Sequence, residues 1–279
     1  MKQDELRILT QKIKNLPTIP SILDNILTLL EDENVSALKL EEIISNDQAI
    51  ASKVLSIANS AYYSLSQKVT SISHAVSLLG FTTVKNIAIG TSIFSNFSDK
   101  GSGIDLKDLY LHSIGTAMAS EKIARKFSNI QPETAFIGGL LHDIGKLILI
   151  DIFQKQYRDA VETARDTACS ICFAEDRVFG TNHITVGEWL CDRWHLPPEV
   201  ILSVKYHRAP WLSGENKELP SAIYLANNII KREKIGFSGD NYIPRIDERV
   251  LNILNLKKND LSEIFSLIQA EKGNIVNIF

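Results

Sequence analysis

The phrase Leu140-Leu141-His142-Asp143-Ile144-Gly145-Lys146 sets an imidazole, a carboxylate and an ammonium close together in an apolar stretch. On a predicted helix, Phe136, Leu140, Asp143, Leu147 and Ile150 share a face, and Asp143 is its one polar member. A carboxylate buried there needs a cation, several hydrogen bonds or a metal, because unpaired burial costs several kcal/mol or more. Three further histidines fall on inward-facing stripes. His112 lies with Leu109, Thr116, Ala119, Ile123 and Phe127; His183 with Gly187, Leu190 and Trp194; His207 with Val200 and Val204. Asp108, four residues before His112, stands close enough to orient or supplement it, and Gly187 lets a neighbouring element approach. One buried histidine is ordinarily a hydrogen-bonded core residue, and a lone His-Asp pair is commonly a surface acid beside an unrelated histidine. Four inward histidines on four helices, joined by an inward aspartate, are harder to explain as packing. Imidazole and carboxylate together suit one divalent ion of iron, manganese, zinc or nickel.

The elements that must position these groups are helices. Apolar residues recur at spacings of three and four almost throughout, and strict alternation is nearly absent. In the first hundred residues, stripes at Ile22–Leu30, Leu40–Ile44, Ile50–Ala61, Ile72–Leu79 and Val84–Phe94 each predict a helix, with Ser71 as an N-cap and Gly80 as a stop. The polar segment Ser98–Gly103 reads as a linker. Beyond it, helices are predicted over Leu106–Phe127, Pro132–Phe153, Gln156–Phe179, Asn182–Trp194, Pro198–His207, Ser221–Glu233 and Asp260–Gln269, with a loop over 235–248. The expectation is an all-α chain in two parts. Residues 1–99 make an N-terminal helical part, 100–235 a helical bundle, and 236–279 a loop and helix packing on that bundle.

The 279 residues are 44% hydrophobic and 23% charged, which excludes a mainly disordered chain. A net charge of −3 supplies no field to draw nucleic acid or an anionic membrane. Acids and bases interrupt the first twenty residues, and His142, Asp143, Lys146 and Asp151 interrupt the most apolar stretch, so neither a secretory leader nor a membrane span is expected. Three cysteines are too few for a disulfide scaffold, and the expected setting is the reducing cytoplasm. Cys169 and Cys172 have redox or zinc spacing but no second pair, so with Cys191 they read as buried free thiols. Residues 71–95 have the outline of a helix-turn-helix, yet Lys85 is the sole base on its second helix, and core packing is the reading preferred. His74 and His195 are expected at the surface, and Tyr62 and Tyr63 as a wedge between the two parts.

The order His112, His142-Asp143, His183, His207 is similar to that of the HD superfamily of metal-dependent phosphohydrolases. More closely, the chain resembles the HDOD (HD-related output domain) family of bacterial signalling proteins. The resemblance lies in Leu16-Pro17-Thr18-Ile19-Pro20, Ile57-Ala58-Asn59-Ser60-Ala61-Tyr62-Tyr63, Ala75-Val76-Ser77-Leu78-Leu79-Gly80, Gly139 to Lys146, and Trp194-His195-Leu196-Pro197-Pro198-Glu199. It covers about residues 16–210 and implies one continuous module reaching about residue 235, with an HD-like C-terminal part. By the same resemblance, His112, His142, Asp143, His183 and His207 match metal ligands, and Lys146 matches a phosphate-contacting lysine. Asp143 and Lys146 would then be the catalytic pair of an active enzyme. Arg208 stands where cyclic-dinucleotide phosphodiesterases of the superfamily have a second consecutive histidine, and Ala209-Pro210-Trp211 lacks their substrate loop. Asn227 stands where a final aspartate ligand is expected. The resemblance thus implies a non-catalytic output module that acts on a protein partner, with no nucleic-acid or membrane partner. The alternative it leaves is a metal-dependent phosphohydrolase of nucleotides or cyclic dinucleotides.

Overall fold

The computed structural model describes residues 19–30, 37–60, 63, 65–95, 97, 102–127, 130–214 and 216–276. Among them the regular elements are all helical, as the periodicity requires. No helix among them is long and apolar enough to cross a membrane. Residues 18–97 and 98–270 fall into separate compact units.

The first unit contains α1 (Ser21–Leu30), α2 (Ala37–Ser45), α3 (Gln48–Ala58), α4 (Ile72–Leu79) and α5 (Phe81–Phe94). Asp47 caps α3 by accepting from the amides of Ala49 and Ile50, and Ser71 caps α4 by accepting from that of His74. The Asn59 side chain accepts from the Val69 amide at 2.8 Å and donates to the carbonyls of Leu55 and Val69, tying the segment between α3 and α4 to the end of α3. Leu40, Ile44, Val54, Ile57, Ala75 and Ile89 are buried. Helix α5 is buried from Val84 to Ile93, and Lys85 is 3% exposed, so it presents no reading face to DNA. Tyr62 and residues 98–101 of the expected linker lie outside the described residues.

The second unit contains α6 (Leu106–Phe127), α7 (Pro132–Leu141), α8 (Ile144–Ile152), α9 (Gln154–Asp166), α10 (Ile171–Phe179), α11 (His183–Arg193), α12 (Pro198–Tyr206), a 3₁₀ turn (Pro210–Leu212), α13 (Glu218–Arg232), α14 (Glu248–Ile253) and α15 (Lys258–Val276) as far as residue 270, the remainder of α15 grouping with the first unit. Helix α7 packs on α6, α12 and α13, while α8 packs on α11. Two expected helices are each divided. Pro132–Phe153 breaks at His142-Asp143, where Asp143 adopts φ −105° and ψ 12°, outside the helical basin. Gln156–Phe179 breaks at Ala168, which takes φ +50° and lets the Cys169 amide bond back to the Ala164 carbonyl. Ser170 then caps α10. Cys169 and Cys172 are accordingly half-buried near this break, and Cys191 alone is fully buried; all three are free thiols.

Helices α8 and α11 meet backbone to backbone. A Cβ on Gly145 would lie 2.0 Å from the His183 carbonyl oxygen and 2.6 Å from the Gly187 amide nitrogen. This contact brings the start of α11, with His183, beside the break that carries Asp143. Gly145→Ala must therefore push the two helices apart, and it is expected to cost about 1–3 kcal/mol in urea unfolding. Gly273→Ala, whose Cβ would meet no atom within 4 Å, is expected to add up to about 1 kcal/mol by helix propensity. Equal effects at the two sites would contradict the proposed contact.

Candidate metal centre

All five predicted ligands lie in the interior, at 1% exposure for His112 and His207, 0% for His142 and His183, and 3% for Asp143. They converge. His142 and His112 place Nε2 at 3.2 Å and 3.7 Å from Oδ2 of Asp143, while His183 and His207 place Nε2 at 3.3 Å and 3.9 Å from Oδ1. Neighbouring residues of an unbroken helix diverge by about 100°. The break between α7 and α8 is what turns His142 and Asp143 toward one point.

The imidazoles are oriented from behind. His142 and His207 donate from Nδ1 to the carbonyls of Gly139 at 2.7 Å and Val204 at 2.8 Å, each three residues back. His183 places Nδ1 against Oε2 of Glu175 at 2.5 Å. A ring whose Nδ1 carries the proton presents a bare lone pair at Nε2. All four Nε2 atoms are buried without a hydrogen-bond partner, and four such orphans around one carboxylate fit a late first-row divalent ion. Calcium or magnesium would want oxygen donors instead.

Lys146 is also inside, at 2% exposure. Its Nζ donates to Oδ2 of Asp143 at 2.5 Å and to the Ser238 carbonyl at 2.8 Å. The loop that supplies Ser238 is laid over the start of α6: Phe237 donates its amide to the Asp108 carbonyl, and a Cβ on Gly236 would lie 2.4 Å from the His112 amide nitrogen. Asp240, in the same loop, receives Lys231 Nζ at 2.5 Å and caps α10 through the Ile171 amide at 2.8 Å. Asp108 itself is exposed, and His112 has no hydrogen-bond partner at either ring nitrogen, so the expected support of His112 by Asp108 is absent. The start of α6 directs that carboxylate to solvent. Asn227 lies with His207, Arg208, Tyr224, Asn228, Lys231 and Pro244 around a cleft of about 30 Å³, with its Oδ1 buried and unpartnered. His195 is exposed and His74 half-buried.

Sequence reasoning missed Glu175, which is 0% exposed and bonds His183 twice, at Nδ1 and at the backbone amide, while the Tyr157 hydroxyl donates to its other oxygen at 3.1 Å. Its charged neighbours Asp176 and Arg177 gave no reason to single it out within the helix expected over Gln156–Phe179. The signal available was Tyr157, Ala160 and Ala164 on one face of α9, which predicts a buried seam for α10 to meet.

Burial, followed by the neighbouring His142, holds the His112 and His207 imidazoles well below their ordinary value. Burial alone would raise the Asp143 carboxyl, but its neighbours His142 and Lys146 bring it well below the usual carboxylate range. The signs agree. The unfolded chain binds protons at these groups more readily than the folded one, so their stability is fully present above about pH 6.5 and is lost as pH falls. Urea unfolding of EDTA-treated protein between pH 7.5 and 5 is expected to show a loss approaching about 1.4 kcal/mol per pH unit for each of His112 and His207. A flat profile would contradict the burial of neutral imidazoles.

Three solved structures share the fold. An HDOD domain protein of unknown function from Geobacter sulfurreducens is 23% identical with a TM-score of 0.83, covering 99% of this chain and 97% of that one. A candidate signal transduction protein from Marinobacter aquaeolei is 22% identical with a TM-score of 0.81, covering 96% of this chain and 59% of that one. A candidate phosphohydrolase from Shewanella amazonensis is 20% identical with a TM-score of 0.76, covering 97% of each. The chain spans less than half the length of the curated relatives it matches. The profile of the HDOD domain matches residues 16–210, most of the chain, and takes in the phrase that carries His142, Asp143 and Lys146. The chain belongs to the HDOD domain family.

Proposed function

We propose that this chain is a non-catalytic signal-transduction output module that acts through a protein partner, its bundle organised around one divalent ion held by His112, His142, Asp143, His183 and His207. The observation that carries the non-catalytic reading is the closed ion pair between Asp143 and Lys146. Phosphodiester hydrolysis needs an activated water, a clamp on the phosphoryl oxygens and help for the leaving oxygen. Asp143 and Lys146 are the groups suited to the first two tasks, and here each is engaged by the other beneath Ser238. The cleft beside His207 is about 30 Å³, far below the roughly 300 Å³ or more of an ordinary small-molecule pocket. Asn227 is a neutral amide and cannot supply the negative charge of an aspartate ligand. The ion, when bound, would serve as a Lewis acid held by four neutral rings and one carboxylate. In a site closed to substrate it acts as a clamp on the helices.

A surface suited to a partner lies on the outer side of the same helices. Helix α10 carries Glu175 inward and Phe173 outward at 52% exposure, and α11 carries His183 inward and Trp189 outward at 42%. A change at the ligands is thereby one rigid helix away from two exposed aromatic side chains, the residue type enriched at interfaces.

Protein purified without a histidine tag is expected to retain one iron, manganese, zinc or nickel ion per chain by elemental analysis, and Asp143→Asn to lose it. The metal-loaded protein is expected to show no turnover of a cyclic dinucleotide approaching ~1 s⁻¹, and Asn227→Asp alone to restore none. Turnover above that rate, abolished by Asp143→Ala, would overturn the non-catalytic reading. Protein free of metal after exposure to all four ions would remove the metal.

A further inference from the structure

We propose that Glu175 makes His183 the anchoring ligand of the centre and so governs how tightly an ion is held; this rests on the metal reading above. The four imidazoles differ in what stands behind them. The Nδ1 of His112 has no partner, while those of His142 and His207 face neutral backbone carbonyls. Only His183 faces a carboxylate, at 2.5 Å. A charged acceptor draws the Nδ1 proton more strongly than a carbonyl, raising the electron density and basicity of Nε2, the atom aimed at Asp143.

Glu175 is built to do this without moving. Oε2 accepts from both Nδ1 and the main-chain amide of His183, fixing ring and backbone together at the start of α11. Oε1 accepts from the Tyr157 hydroxyl. Burial, and then the Glu175 charge, push that phenol well above its ordinary value, so it remains a donor. Cys172 places its sulfur within 4.8 Å of the same carboxylate and ring. Burial pushes its thiol up to about 12, and its sulfur groups with Glu175 and His183 rather than with the side chains around Asp143.

The informative variant is Glu175→Gln. The amide oxygen can still accept from the His183 amide and Nδ1, and its NH₂ can meet the Tyr157 oxygen once the phenol turns to accept. Shape and bonding survive, and the charge is lost. Full-length protein is titrated with Zn²⁺ alone against a chromophoric chelator, and the ring nitrogens of His183 are read by ¹⁵N NMR in EDTA. Glu175→Gln is expected to weaken Zn²⁺ binding by about 10–100-fold, Cys172→Ser to leave it unchanged, and His112→Ala to cost less than His183→Ala. Wild-type His183 is expected to carry its proton on Nδ1. Zn²⁺ affinity within about threefold of wild type in Glu175→Gln, or a wild-type His183 protonated on Nε2, would overturn the anchoring role while leaving the metal reading intact. Failure of the wild type to bind Zn²⁺, manganese, nickel or ferrous iron would instead defeat the metal reading, with the anchoring role going with it.

Discussion

The Asp143 carboxylate cannot lie in the interior alone, and the rest of the second unit is arranged to answer that constraint. An ionised carboxylate taken out of water costs several kcal/mol unless cations or donors surround it. Here the Lys146 ammonium donates to Oδ2. The four imidazole Nε2 atoms that face the two oxygens, His112 and His142 at Oδ2 and His183 and His207 at Oδ1, bring bare lone pairs that a shared cation would reconcile with the carboxylate. The partners come from four stretches of chain, at 112, 142–146, 183 and 207, so satisfying one side chain bears on the relative placement of α6, α7, α8, α11 and α12 (His207 following directly on the last).

The same arrangement explains why the centre is closed. Lys146 leaves α8 only one turn after Asp143, and its second bond, to the Ser238 carbonyl, holds the segment after α13 over the start of α6. Asp240 extends that strap by joining Lys231 on α13 to the first turn of α10. Asp143 and Lys146, the groups suited to handling a phosphate, are thereby engaged with each other and with the Ser238 carbonyl. Helices α10 and α11 each carry an inward polar residue and an outward aromatic one, Glu175 with Phe173 on the first and His183 with Trp189 on the second.

The fold class and the five side chains that converge were legible in the sequence for one reason. Helical stripes are so regularly apolar that a histidine or aspartate on them stands out, and Gly187 marked the close approach that Gly145 completes. The break at His142-Asp143 was not legible, because Leu141, His142 and Ile144 are ordinary helix residues and no glycine or proline announces the turn. Ala168 hid the end of α9 similarly, taking a left-handed conformation usually left to glycine. Glu175, Ser238 and Asp240 were missed because their roles depend on which elements meet, which local pattern does not encode. Asp108 shows the converse error: spacing placed it near His112, and its place in the first turn of α6 turned it to solvent.

The claim that Asp143 and Lys146 hold each other as a buried pair is tested most directly by a double-mutant cycle in metal-free protein. Asp143→Asn, Lys146→Met and the double variant are compared with wild type by denaturant unfolding in EDTA at one pH. The account expects each single variant to lose about 3–5 kcal/mol and the double variant to lose far less than their sum, a coupling of at least about 2 kcal/mol. Additivity within about 0.5 kcal/mol would contradict it.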